Sequence, residues 1–368
     1  MLKVLHIISG NDNGGGGNHV LSISKYRDNS FENILGCIGE GFLYEKVQSE
    51  AVEYVKFDNK LHNTEIVRYV IENSIDIVNF HGAKPFLIHK LIKGRLQVPS
   101  VASVHSDYKN DFMNNKIKYL LFTPLSILGI KSFDYFICVS NFIRDLLDED
   151  GIKGKKFVIN NGIDLSNIRV SEESQIIRKR YNIDNNDFVF CNIARMHPIK
   201  NHHGMLNAFS KISKEFDDVK LMIVGDGEER NKIEQCVNEF GLSSKVILTG
   251  FKDNPMDYIN ASDVFILTSF SEGGAPPLVI LESAALRKPV VCTRVGDVEK
   301  FITSENSFLV PNNTVYDIYN KMKEAYLSRQ SLQEIGDRIY SVVRQNFTID
   351  NFYRNYFKYY KEIIKNNN

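Results

Sequence analysis

Short apolar, β-rich runs alternate with longer stretches of helical period along the whole 368-residue chain. Strands are predicted at Val4–Ile8, Ile75–Phe80, Ser100–Val104, Tyr135–Val139, Phe157–Ile159, Phe188–Ile193, Lys220–Val224, Val246–Thr249, Val264–Leu267 and Pro289–Cys292. Helical periodicity fills most of the intervals, as in His203–Phe216 and Glu228–Phe240. Such alternation predicts parallel sheets joined by right-handed crossovers. The turn-rich stop Asn160-Asn161-Gly162-Ile163-Asp164 and the polar run up to Asp187 precede a fresh apolar strand, so a boundary is expected near residues 165–185. Two doubly wound domains follow, 1–165 and 166–345. After them 346–368 is expected to form a helix and tail packing back toward the N-terminal domain. Ligands of open parallel sheets bind beyond the carboxyl ends of the strands, and two facing sheets would put a site in the cleft between them. In the tail, Phe352, Tyr356, Tyr360 and Ile363 share one helical face. The final Lys-Asn-Asn-Asn is expected to be disordered.

Composition narrows the function classes. Hydrophobic residues make up 43% and charged residues 24%, as in an ordinary globular protein. Lys plus Arg and Asp plus Glu both number 45. No global basic field exists to hold nucleic acid, and any anion site must be local. The five cysteines are scattered, with no C-x-x-C pair, which fits a reducing compartment. The first apolar run ends at once in glycine and asparagine, unlike a secretory signal. No segment reaches the roughly 20 apolar residues of a membrane span. The expectation is a soluble cytoplasmic protein, at most peripheral to the inner face of the membrane.

Three clusters carry candidate chemistry. The first strand runs into Gly14-Gly15-Gly16-Gly17-Asn18-His19, where glycines let the backbone approach a ligand and a helix start offers free N–H groups. G-x-G-x-x-G spacing is not met, so a flexible strand–helix turn is an equal reading. Next comes Ala194-Arg195-Met196-His197-Pro198-Ile199-Lys200-Asn201, following the first strand of the second half. Arg195 supplies a fork of donors and Lys200 a compact charge, both suited to a diphosphate. Last, Ser271-Glu272-Gly273-Gly274-Ala275-Pro276-Pro277 leads into a helix bearing Glu282. Its carboxylates suit sugar or ribose hydroxyls, or they are merely acids favoured by the helix dipole.

In order and spacing these pieces resemble the large family 4 (group 1) of retaining glycosyltransferases. Further pieces add to the likeness: Val104-His105-Ser106, Val139-Ser140, Val224-Gly225-Asp226-Gly227, Thr249-Gly250-Phe251 and Pro289-Val290-Val291. The resemblance covers nearly the whole chain. It implies an α/β GT-B fold, with two doubly wound Rossmann-like domains facing across a cleft, the first on the acceptor side and the second binding a nucleotide-sugar. It also implies that Arg195 and Lys200 neutralise the departing diphosphate, that Glu272, with Gly273 and Gly274, holds donor-sugar hydroxyls, and that Glu282 holds the ribose. The amides of Gly15, Gly16 and Gly17 would approach the phosphate or acceptor, and His105 would sit beside the reacting sugar. The implied reaction is transfer, with retention, from a UDP- or GDP-type donor to a glycan, glycolipid or lipid-linked acceptor in polysaccharide or glycoconjugate assembly. No cofactor and no essential metal are implied. The chain departs from the family in one place: nine residues separate Glu272 from Glu282 where seven are usual, and counting back seven lands on Gly274.

Other signals point elsewhere. Asp148-Glu149-Asp150 reads as a solvated helix end rather than a metal motif, and His197, His202 and His203 lack the i, i+4 spacing of a zinc helix. His81 reads equally as a lining residue and as a locally hydrogen-bonded one. The segment 116–131, apolar with flanking lysines and Pro124, reads either as a helix pair capping the first core or as a surface that dips into a membrane. Alternatives to transfer are a sugar-nucleotide epimerase of the same fold, a nicotinamide-dependent oxidoreductase using the glycine loop, and an inactive interaction protein. Release of nucleoside diphosphate separates transfer from epimerisation.

Overall fold

The computed structural model describes residues 1–26, 30–60, 64–108, 116–272 and 276–367, without the side chains of 116–122. Within these the chain forms two compact units. Unit 1 joins Met1–Asn161 to the chain from Asp350 onward, and unit 2 lies between Gly162 and Ile349.

Unit 1 is built on seven parallel strands: β1 (Leu2–Ser9), β2 (Phe31–Ile38), β3 (Glu53–Phe57), β4 (Ile77–His81), β5 (Ser100–Val104), β6 (Tyr135–Cys138) and β7 (Lys155–Val158), in the order β3-β2-β1-β4-β5-β6-β7. Unit 2 holds six: β8 (Phe188–Ile193), β9 (Val219–Val224), β10 (Val246–Gly250), β11 (Val264–Leu267), β12 (Val290–Thr293) and β13 (Phe308–Val310), ordered β10-β9-β8-β11-β12-β13. Both are doubly wound sheets. Their order reverses beside the first strand of each, between β1 and β4 and between β8 and β11. Crevices for ligands open at such points, outside the carboxyl ends of the strands.

Alternation along the unit 1 strands sorts two kinds of residue. Leu5, Ile7, Ile34, Val78, Phe80, Ala102 and Val104 enter one hydrophobic core. The alternate positions on the same strands carry His6, Asn33, Asn79, His81 and Ser103, all buried. This polar row faces the helix Gly15–Lys25 and the last helix, Ile349–Asn367. His19 bonds the Tyr356 hydroxyl at 2.7 Å, and Asn79 donates to the Tyr360 hydroxyl at 2.7 Å. The last helix buries Phe352, Tyr353, Tyr356, Tyr360 and Ile363, the first-turn to last-turn stripe expected from the spacing.

Three strands escape the hydrophobic pattern. β2 is interrupted by Glu32, Asn33 and Gly36, yet Gly36 is required there: a Cβ would lie 2.7 Å from both Ile7 and Phe57. β3 is an edge strand that carries Glu53 and Lys56, charged residues of the kind that blunt an edge, and β13 is three residues long. The tail corrects the expectation of disorder for residues 365–367, while Asn368 lies outside the described residues. Lys365, Asn366 and Asn367 continue the last helix, where the Asn367 amide donates to the Ile363 carbonyl at 2.8 Å and Ile363 is buried.

Candidate active site

In unit 2 the loops that leave β8 and β11 flank the reversal of strand order. The β8 loop is held against the end of β9. Ala194 N donates to Val224 O at 3.1 Å, Met196 N to Asp226 O at 2.9 Å, and Glu229 N to Met196 O at 3.1 Å. Gly225 makes this approach possible: its φ is +141°, and a Cβ would run into the Ala194 carbonyl oxygen. Beyond Pro198 the loop makes one 3-10 turn, and Asn201, in the left-handed region, caps the helix His202–Glu215 by accepting from Gly204 N. The β11 loop straps this turn in place. Phe270 N donates to Ile199 O at 2.8 Å and the Thr268 hydroxyl to Lys200 O at 3.2 Å.

This scaffold brings Lys200 and Glu272 together. The Lys200 ammonium lies 2.7 Å from both carboxylate oxygens of Glu272, with the side chains 22% and 11% exposed. The Ser269 hydroxyl donates to the same carboxylate. Arg195 stands apart from the pair. Its side chain is 68% exposed and faces Glu228 at 3.6 Å, and Glu228 also lies 3.5 Å from His197 Nε2. Glu282 sits on the helix Leu278–Ala285, and burial pushes its carboxyl above the usual carboxylate range. Among the described residues that carboxylate has no hydrogen-bond or ion-pair partner. Gly273 and Gly274 lie outside the described residues.

In unit 1 the glycine loop leaves β1 and opens the helix Gly15–Lys25. Asp12 occupies the helix start: its Oδ1 accepts from Gly14 N and Gly17 N, both at 2.9 Å. A Cβ on Gly17 would come within 2.6 Å of that oxygen. The Gly17 amide is thus already satisfied by a carboxylate. Gly15 is open, with nothing within 4 Å of a Cβ position, and Gly16 lies against the His105 ring, where a Cβ would be 3.4 Å from Cδ2.

His105, partly exposed, begins a row of imidazoles whose other members are buried. Its Nε2 is 2.9 Å from His81 Nδ1, His81 Nε2 is 3.1 Å from His6 Nδ1, and His6 Nε2 is 3.0 Å from Asn33 Oδ1. His19 packs edge-on to His105 and also bonds Asn161 at 3.1 Å. Burial holds all four rings neutral: His6 and His19 are lowered to about 4, and His81 and His105 fall well below the usual imidazole value.

His81 is thereby both a locally bonded residue and a neighbour of the site residue His105. Asp12, Glu228 and the His6–Asn33 end of the row were not anticipated. The only sequence signal for the row is polar residues at every second position inside apolar strands. Asp148 closes its helix with an ion pair to Lys156 at 2.8 Å, as a helix end should. Among the described residues no group of three or more His, Cys, Asp or Glu side chains could hold a metal ion, and no helix is long and apolar enough to cross a membrane.

Known proteins are similar to the chain in sequence and in fold. The family model for glycosyl transferases group 1 matches residues 173–342, the part that holds Arg195, Lys200, Glu272 and Glu282, and that for Glycosyltransferase Family 4 matches residues 52–167. The chain belongs to the group 1 glycosyltransferases. Members resemble this group 1 chain in sequence and in fold. The alpha-monoglucosyldiacylglycerol synthase of Streptococcus pneumoniae is 28% identical over 269 residues, which is 70% of this chain and 60% of that one. The chain thus spans about three fifths of that relative's length. A glycosyltransferase from Rickettsia africae superposes with a TM-score of 0.82 at 20% identity, covering 99% of each chain. HepE of Anabaena, solved with UDP-glucose, gives 0.79 at 19% identity, over 98% of this chain and 100% of that one. These two likenesses establish the GT-B fold for the group 1 chain.

Proposed function

We propose that the protein transfers a sugar, with retention of anomeric configuration, from a nucleotide-sugar to a glycan, glycolipid or lipid-linked acceptor. The observation that carries this reading is the Lys200–Glu272 pair, set by the β8 and β11 loops at the reversal of the unit 2 sheet. As the bond to the anomeric carbon breaks, negative charge grows on the departing diphosphate, and preorganised cations stabilise it. Lys200 is already aimed by its contact with Glu272, while Arg195 is exposed and free to swing from Glu228 to the phosphate. Glu272, anchored by Lys200 and Ser269, keeps lone pairs for donor-sugar hydroxyls. Glu282, desolvated and without a partner among the described residues, suits a ribose hydroxyl. Asp12 makes the helix start at Gly14–Gly17 less welcoming to a phosphate and more suited to a hydroxyl. No step is assigned to a metal.

A UDP-type donor is supported by the UDP-glucose held by HepE, and a glycolipid acceptor by the name of the pneumococcal synthase. A panel of UDP- and GDP-sugars scored by thermal shift and by nucleoside diphosphate release tests the reading. Binding and release by the intact protein, with release lost in Arg195→Ala and Lys200→Ala, is the expected result. No shift with any of them, from folded protein, would sink it.

A cytoplasmic protein that rests on the membrane inner face suits a lipid-linked acceptor. In the helix Lys116–Ile130, Gly129 lies against the Phe86–Leu87 backbone while Leu125 and Leu128 point to solvent. Co-sedimentation with anionic vesicles should therefore weaken in the double variant Leu125→Ser/Leu128→Ser. Equal sedimentation of both proteins would count against the contact.

A further inference from the structure

The row His105–His81–His6–Asn33 is a chain of single protons whose direction is set at its far end. The Asn33 amide nitrogen donates to Ile23 O at 3.2 Å, so its oxygen is the atom that faces His6 Nε2. Turning the amide over would set two carbonyl oxygens against each other. His6 Nε2 must therefore carry a proton, and since the ring is neutral its Nδ1 is a bare lone pair. His81 Nε2, 3.1 Å away, has to donate to it, which leaves His81 Nδ1 bare in turn. His105 Nε2, at 2.9 Å, donates to that atom. Each link has one solution once the first is fixed. The outcome at the near end is an imidazole protonated on Nε2 and bare on Nδ1, beside the Gly16 backbone.

We propose that Asn33, His6 and His81 are positioning residues that lock His105 in the Nε2–H tautomer, so that its Nδ1 accepts a hydrogen bond from a substrate hydroxyl and cannot donate one to a phosphate. The lock rests on geometry within unit 1, whereas the hydroxyl partner rests on the sugar-transfer reading. Three features of the row fit a lock better than a filler of the core. Its members come from three adjacent strands, β1, β2 and β4, and from the residue after β5. Each buried ring nitrogen in it is paired. Its last member is the one imidazole of the row that is partly exposed, and among the described residues His105 Nδ1 has no partner.

The test is nitrogen NMR of the histidine rings in the full-length protein near neutral pH. His105 should show an unprotonated Nδ1 and a protonated Nε2. In His81→Leu, which removes the acceptor, both tautomers should appear. His81→Asn, whose side-chain oxygen can take the place of Nδ1, should restore the single form. With UDP-glucose as donor, His81→Leu should lower kcat/KM about three- to tenfold, the worth of one neutral hydrogen bond, and His81→Asn should recover it, while UDP binding stays unchanged in both. A wild-type His105 protonated on Nδ1 overturns the lock without any variant having to fold, as does a His81→Leu spectrum identical to wild type. A correct tautomer in a protein that binds no member of the UDP- and GDP-sugar panel leaves the lock standing and removes the transfer reading instead.

Discussion

Lys200 and Arg195 are both cations beside a strand end, and they should fail differently. Arg195 is 68% exposed with a loose partner, so Arg195→Ala should leave stability within about 0.5 kcal/mol while costing about 10²–10³ in turnover. Lys200→Ala strands the Glu272 carboxylate, which is 11% exposed. A fully buried broken pair costs about 3–5 kcal/mol and a surface pair about 0–1 kcal/mol; a value between these is expected, because the pair is partly open. Adding Glu272→Ala should recover melting temperature but not nucleoside diphosphate release. That Arg195, Lys200 and Glu272 lie on loops just past strand ends was legible in the sequence; that Lys200 and Glu272 meet was not, because they stand 72 residues apart. Glu228 was not, because an exposed glutamate near the start of a helix looks like any other. The histidine row was equally hidden: its members run from residue 6 to residue 105, and only the sheet brings them side by side.

At the scale of elements, β8 and β9 are coupled by glycine. Gly225→Ala would push the Ala194 backbone away and take the loop that carries Arg195 with it, at a backbone angle that alanine resists. A backbone clash cannot be relieved by a rotamer change, so a loss of about 1–3 kcal/mol is expected. Turnover should fall more than that loss explains, because the cation moves. Melting curves read against nucleoside diphosphate release at a temperature where the variant is folded would check it; proportionate losses would point to stability alone. The strands with continuous apolar runs were placed within a few residues by pattern. Those missed, β2, β3 and β13, were the ones whose sequence answers to something else: a close approach at Gly36, a solvated edge, or shortness. The last helix outran its expected end because a buried Ile363 holds the turn to which polar asparagines are added.

For the whole molecule, the neutral histidines set an acid limit. Of the nine histidines, His6, His19, His81, His89, His105 and His202 are all shifted down by burial. His6, His19 and His202 reach about 4 and His89 about 3, whereas an unfolded imidazole titrates near about 6.5. Their folded values are depressed, so the unfolded chain binds more protons between these limits. The stability they protect is present above pH about 6.5 and drains away as pH falls toward 4. Melting temperature should drop steeply across that window, with uptake of several protons on unfolding. A flat profile from pH 7 to 4.5 would show that the rings are not buried as described. Five of the six lie in unit 1, so that unit should give way first.

The route of the chain through the two units also has a consequence in time. Unit 1 is begun by the first strand and finished by the helix Ile349–Asn367, which is made only after all of unit 2. During synthesis, His19 and Asn79 must wait for Tyr356 and Tyr360 before their buried polar atoms are met. Until that helix is made, a finished unit 2 would be attached to an unfinished unit 1, with the polar row of its sheet open on the side that the last helix covers. The usual order of assembly, amino-terminal domain first, is reversed by nineteen residues. A stalled or clipped chain lacking them would present that open face, and the apolar side chains around it, to chaperones and proteases rather than work at reduced rate.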